Sequence, residues 1–181
     1  MLTDTKRNSW KKSGNFLLKS ARSMLSRAFD VKPKTISSQY LKNLIKSETG
    51  ITNIWLADSG CNYYYLDLDT VLDILNYDLI SEREYLDNGR FDCDKFARAV
   101  YTRFNYIYGV NTMAMARNVE IRNPKTDELM GYHRANVFVA EDEGKLKVFY
   151  LEPQTDMAVE LNGSSVELFE KKYVLAGMLD F

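Results

Sequence analysis

The chain has 181 residues, and its content of 45% hydrophobic and 13% aromatic residues excludes an intrinsically disordered protein. Its two cysteines exclude a disulfide framework and indicate a reducing compartment, and its single histidine excludes a Cys/His zinc site. No apolar run of about 20 residues and no signal peptide is present, so we expect no transmembrane segment and a cytoplasmic protein, or, for a viral source, one in the host cytoplasm or virion.

The first 34 residues differ in charge from the rest of the chain. They contain nine Lys or Arg and only two acidic residues, although the whole chain has a net charge of −1. Residues 10–29 have the pattern of a basic amphipathic helix, and Pro33 predicts a linker. The apolar face of this helix could pack on the acidic body of the chain, or it could bind a protein or anionic surface partner. Nucleic acid is the least favoured partner. We therefore expect an arm and linker over residues 1–34 and one domain over residues 35–181.

The segment after the linker is predicted to be mainly helical. Apolar spacing predicts helices over residues 35–47 and 67–77, separated by a short strand at 51–57. Residues 81–86 begin with a capping-box pattern and predict a short helical turn. Residues 87–90 are rich in turn-forming side chains and predict a loop.

A cysteine occupies the predicted start of the next helix. Asp92 is a favourable N-cap residue, and the dipole of the helix that follows favours the thiolate form of Cys93. The carboxylates of Asp92 and Asp94 oppose that effect, so a reactive thiol here requires an imidazolium partner, which only His133 can supply. The apolar stripe of this helix comprises Cys93, Phe96, Ala97, Val100, Phe104, Ile107 and Tyr108.

The last third of the chain is predicted to be extended. Residues 111–121, 129–139 and 145–152 read as strands joined by turns, and residues 157–181 predict a further short strand and a final helical or extended piece. Helices followed by antiparallel strands indicate an α+β fold. Such a fold places the cysteine at a helix start, facing a strand that carries His133.

These residues could form a nucleophilic site. A thiol nucleophile needs a base, a group that orients the base, and donors for the oxyanion. We take Cys93 and His133 as nucleophile and base. Glu152 is the favoured orienting group, because it continues an apolar strand face and needs a partner there. Strand alternation turns Asn136 away from His133, which leaves Asn136 as a supporting candidate.

Further candidates lie close by in the sequence. Gln154 could position the site or contact substrate, and the backbone N–H of Cys93 and the side chain of Asn88 are candidate oxyanion donors. The simplest role of Asp92 and Asp94 is a helix cap and a solvated charge, but together with Glu152 they could also bind a cation such as calcium. The alternative for the whole set is structural: a buried cysteine is usually a small apolar residue, and a strand histidine is usually a hydrogen-bonded structural one.

Three short motifs resemble a known family. They are residues 91–97 (FDCDKFA), 131–136 (GYHRAN) and 151–155 (LEPQT), in that order. They resemble the papain-like cysteine protease domain of the Marasmius oreades agglutinin C-terminal type and related small bacterial and phage domains. In this chain Tyr132 stands where family members usually have glycine, directly before the histidine.

The resemblance covers about residues 55–160 and implies a fold and an activity. It implies a papain-like α+β hydrolase domain over residues 35–181, with N-terminal helices packed on a small antiparallel sheet that carries His and Glu. It also implies a Cys93–His133–Glu152 triad, activation by calcium, and a protein or peptide substrate. We expect a cysteine peptidase acting on peptide or amide bonds. The alternative is an inactive binding or inhibitory module on the same fold, of viral origin, that docks a partner through its basic arm.

Overall fold

The structure is a computed structural model that describes residues 31–57, 60–86 and 92–181. The helix predicted at residues 10–29 lies outside the described residues, and so does the loop predicted at residues 87–90. No helix in the described ranges is long and apolar enough to cross a membrane. The described elements, in chain order, are β1 (Lys34–Ser37), α1 (Ser38–Thr49), β2 (Ile54–Trp55), β3 (Asn62–Tyr65), α2 (Leu68–Asp78), α3 (Cys93–Thr102), a π-helix (Arg103–Tyr108), β4 (Met113–Arg122), β5 (Leu129–Asp142), β6 (Lys145–Glu152), β7 (Met157–Glu160), β8 (Ser165–Leu168), β9 (Lys171–Leu175) and β10 (Leu179–Asp180).

Within the described residues, eight of these strands form one mixed sheet. The main order is β2–β10–β4–β5–β6–β7, and the β8–β9 hairpin joins the sheet where β9 pairs with β4. The β2–β10 pair is parallel, whereas the other pairs are antiparallel. The short strands β1 and β3 form a separate antiparallel pair. The C-terminal strand β10 therefore lies inside the sheet, between β2 and β4.

The sheet is covered by helices on both faces. One core cluster combines Leu41 and Ile45 of α1 with alternate strand residues such as Val137 and Tyr150. The other combines α2, α3 and the π-helix with the intervening strand residues such as Phe138. Strand alternation makes this division possible, because neighbouring side chains of a strand point to opposite faces. The second cluster holds α3 against β5 and so positions Cys93.

Local signals set the boundaries of α1 and α3. The Ser37 side chain caps α1 by accepting the Tyr40 N–H, and Gly50 ends α1 in the left-handed conformation at φ 71°. The Asp92 side chain caps α3 by accepting the Lys95 N–H, as the sequence predicts. The cysteine is thus the first residue of α3.

The predicted papain-like α+β fold is wrong. In place of a small antiparallel sheet beside N-terminal helices, the structure has an eight-stranded mixed sheet within its described residues. Strands account for 41% of those residues and helices for 27%. The prediction failed because residues 157–181 form four further strands, and because the hydrophobic pattern of short strands does not reveal which neighbours they pair with.

Two smaller predictions are also wrong. The structure has no helix at residues 81–86, which form turns and a single bridge residue. Lys34, predicted as linker, is the first residue of β1, and its Nζ lies 2.5 Å from Glu141 Oε1. Pairing with β3 explains the second error, since the strand forms only against a partner distant in sequence.

Candidate active site

The tip of α3 meets β5 where this strand has an open edge. Residues 136–142 of β5 pair with β6, whereas its residues before 136 pair only with β4. The Asn136 side chain, buried and directed toward α3, donates to Ala97 O at 3.0 Å and to Ala114 O at 3.1 Å. This contact ties α3 to the sheet, one turn beyond Cys93. The cysteine therefore lies beside the part of β5 that pairs with β4 but not with β6, and this part carries His133.

The Cys93 sulfur lies among groups that favour the thiolate. A hydrogen bond with His133 is the main cause that lowers the pKa of the Cys93 thiol. Burial opposes this effect, the backbone N–H of Arg134 and the charge of His133 reinforce it, and the negative charge of Asp92 opposes it. The thiol is half-buried, so it remains accessible from one side. A half-buried thiol beside a histidine is the kind of environment in which a cysteine can be activated.

The His133 ring connects the thiol to a carboxylate. Its Nε2 lies 2.7 Å from Glu152 Oε2, which leaves Nδ1 for Cys93. Burial disfavours the charged ring, but the hydrogen bonds to Cys93 and Glu152 outweigh this and raise the pKa of His133 to about 9. The ring also packs on Tyr173, with centroids 5.7 Å apart. An imidazolium held between a thiolate and a carboxylate can donate a proton to a leaving group.

Glu152 is buried, with 4% of its surface exposed, at the end of β6. Besides the His133 contact, its Oε2 accepts the Tyr150 hydroxyl at 3.4 Å, and its Oε1 accepts the Gln154 backbone N–H at 3.3 Å. Burial and the negative charge of Glu152 both raise the pKa of Tyr150, which therefore stays a neutral donor. These bonds fix the carboxylate, and through it the histidine ring. Strand alternation had indicated this role for Glu152.

The acidic residues at the helix tip are matched by side-chain cations. Asp94 Oδ1 lies 2.8 Å from Arg134 Nη1, and Asp94 Oδ2 lies 3.5 Å from both Lys95 Nζ and Arg98 Nη2. Asp92 caps the helix, and Glu152 bonds to His133 rather than to either aspartate. Over the described ranges no group of three metal-ligating side chains lies together. The arrangement of Asp92, Asp94 and Glu152 does not fit a calcium site.

The residues predicted to support the site differ in whether they lie near the histidine–glutamate pair. Gln154 borders a cavity beside His133 and Glu152, whereas Asn136 is a buried structural residue that does not reach the histidine–glutamate pair. Asn88 lies outside the described residues. The N–H of Cys93, as the first helical residue, has no acceptor inside the helix and is available to an oxyanion. Arg134 is a site residue that the three motifs did not indicate. Strand alternation could have indicated it, because alternation places Arg134 with Asn136 on the side that faces α3.

Comparisons with known proteins give a likeness of fold alone. No protein-family model and no curated protein matches the chain. Among solved structures, a crystal structure of Polyporus squamosus lectin bound to the human-type influenza-binding epitope Neu5Aca2-6Galb1-4GlcNAc aligns at 15% identity and a TM-score of 0.52, over 69% of this chain and 45% of the lectin chain. The PSL1a–E64 complex aligns at 17% identity and a TM-score of 0.51, over 77% of this chain and 49% of the other.

The chain thus spans about half the length of both structural neighbours. At these identities the likeness concerns the fold alone. The first neighbour is a lectin, and the likeness of fold to these two structures goes against the papain-like fold that the three motifs implied.

Proposed function

We propose that this chain is a cysteine hydrolase that acts on peptide or amide bonds. Cys93 is the nucleophile, His133 the general acid and base, and Glu152 the residue that orients and charges the histidine. The observation that carries the proposal is the continuous contact from a thiol of lowered pKa, through a histidine side chain that is 10% exposed, to a buried carboxylate 2.7 Å from its Nε2. Chains of nucleophile, base and orienting group are the general signature of such catalysis.

The proposed reaction has two steps. The Cys93 thiolate attacks the carbonyl carbon, and the backbone N–H of Cys93 stabilises the oxyanion that forms. His133 then gives its proton to the leaving amine as the C–N bond breaks, which leaves a thioester on Cys93. In the second step neutral His133 takes a proton from water, hydroxide attacks the thioester, and Cys93 leaves as thiolate beside a protonated His133.

Labelling and turnover test the proposal. Exposed Cys61 provides an internal comparison for thiol reactivity. We expect iodoacetamide to modify Cys93 at least tenfold faster than Cys61 at pH 6, because only the thiolate reacts. We also expect hydrolysis of a mixed peptide library by the parent and by Cys61→Ser, and none by Cys93→Ala. E64, the compound in the second neighbouring structure, has an epoxide that a thiolate can open, so it provides a second probe of Cys93.

The opposite results would refute the proposal. Equal labelling of the two cysteines, together with identical behaviour of the parent and Cys93→Ala on every peptide, leaves no role for the thiol. The chain would then be better described by the alternative of an inactive binding or inhibitory module.

A further inference from the structure

A cavity of about 320 Å³ adjoins the proposed catalytic residues. His133, Glu152 and Tyr173 form part of its wall, and the ring of Tyr173 packs on that of His133. Tyr85 and Phe169 also line it, and these two side chains are 48% and 51% exposed. Exposed aromatic rings beside a catalytic residue gain favourable burial when an apolar group enters between them. The cavity therefore suits a large apolar or aromatic side chain.

Phe169 occupies a strained backbone position at this cavity. Leu168 pairs with Lys171, so Phe169 and Glu170 form a two-residue hairpin loop, and their φ angles are 51° and 58°. Loops with two positive φ angles favour Asn-Gly, and phenylalanine is disfavoured there. Strain of this kind persists mainly where the residue has a function. Of the two loop residues with positive φ angles, Phe169 is the one that lines the cavity.

The same hairpin places one cation on the cavity wall. Along β9, alternation puts Lys171 and Tyr173 on one face and Lys172 on the other. Lys172 Nζ lies 2.9 Å from Asp127 Oδ1. Lys171 lines the cavity and forms no ion pair with any residue that the structure describes. A half-buried lysine without a carboxylate partner is a recognition element for a negative group.

We infer, on the basis of the proposed hydrolase function, that this cavity is the substrate-specificity pocket and selects acidic peptides. A large apolar or aromatic substrate side chain packs between Tyr85 and Phe169. A carboxylate on a neighbouring substrate residue pairs with Lys171. The scissile carbonyl is thereby held beside His133, within reach of the Cys93 thiolate.

The test uses two peptides and does not require turnover. Ac-Ala-Glu-Phe-Glu-Ala-NH2 and Ac-Ala-Gln-Phe-Gln-Ala-NH2 are titrated into the full-length Cys93→Ala variant. An ion pair between half-buried Lys171 and a peptide carboxylate predicts about fivefold tighter binding of the acidic peptide. This preference should become smaller in 0.5 M salt. Lys171→Met should abolish the preference and Lys171→Glu should reverse it. Lys172→Met is the matched control, because it removes a neighbouring cation from the opposite face, and it should leave the preference intact.

A second variant separates binding from folding. Phe169→Asn relieves the strained turn, so the midpoint of its urea unfolding should be unchanged or higher, while both peptides bind several-fold more weakly. Equal binding of the two peptides, an equal effect of Lys171→Met and Lys172→Met, or binding of neither peptide would each overturn the inference. If the acidic preference is found in binding but the parent cleaves no peptide, the pocket stands and the hydrolase fails. If the parent cleaves peptides but shows no preference for the acidic peptide, the hydrolase stands and the pocket assignment fails.

Discussion

Replacing Glu152 by glutamine removes the negative charge that lies 2.7 Å from His133 Nε2 and keeps the size of the side chain. The amide oxygen can still accept the Gln154 backbone N–H, which Glu152 Oε1 accepts at 3.3 Å. The variant therefore tests the charge on the histidine rather than the shape of the site. We expect the pKa of His133 to fall from about 9 toward its ordinary value of 6.5.

The magnitude follows from the burial of this pair. The side chains of His133 and Glu152 are 10% and 5% exposed, so water screens their contact little. A hydrogen bond between charged groups contributes about 1.5–3 kcal/mol, and about 1.4 kcal/mol corresponds to a factor of ten in an equilibrium. The thiolate–imidazolium pair should therefore be roughly tenfold to hundredfold less populated at pH 6 in Glu152→Gln. The limb of the labelling profile that reports the thiolate should move to higher pH.

The assay is the rate of iodoacetamide labelling of Cys93 from pH 4 to 10, in a Cys61→Ser background that leaves one thiol. Glu160→Gln is the matched control: this carboxylate pairs with Lys147 at 3.1 Å on β7, and its loss should leave the labelling profile unchanged. Urea unfolding verifies that each variant is folded. A Glu152→Gln profile that coincides with that of the parent would refute the reasoning, because the charge of Glu152 would then have no effect on the thiol.

Two further predictions concern buried polar groups outside the triad. Asn136→Ala removes the hydrogen bonds to Ala97 O and Ala114 O and should lower the free energy of unfolding by about 2–4 kcal/mol in urea titrations; a change below 1 kcal/mol would contradict a tie between α3 and the sheet. Burial raises the pKa of Asp78 from 3.8 to about 6 despite Arg103, so its protonated form stabilises the fold below pH 4 and this stability is lost as the pH rises through 6. Asp78→Asn should therefore gain about 2–3 kcal/mol relative to the parent between pH 4 and 7.5, and a difference independent of pH would contradict this.

Much of the local structure could be predicted from sequence, because its causes are local. The Asp92 cap lies beside the residues that it caps, and the sequence places Cys93 at the start of α3. Alternation along β5 and β6 divides the strand residues between two faces, and it indicated that Glu152 needs a partner on its face. These features depend on neighbours a few residues apart, which periodicity records directly.

The large sheet could not be predicted in the same way. The parallel pairing of β10 with β2 joins Leu179 to Ile54, and the β8–β9 hairpin reaches the sheet through β4. Short strands in the last 25 residues carry too little pattern to identify their partners. The papain-like expectation came from three motifs around the proposed site, and these do not determine the architecture that surrounds them.

The sequence by itself determined which residues could take part in thiol chemistry, because the chain has one histidine and one cysteine at a helix start. Only the tertiary structure decided that Cys93 contacts His133 and that Glu152 lies 2.7 Å from the same ring. It also placed Arg134 beside Asp94 and Lys171 on the cavity wall. The physical reason is that these contacts depend on where α3 packs against the open edge of β5. That packing is fixed by core residues throughout the chain rather than by the local spacing of the motifs.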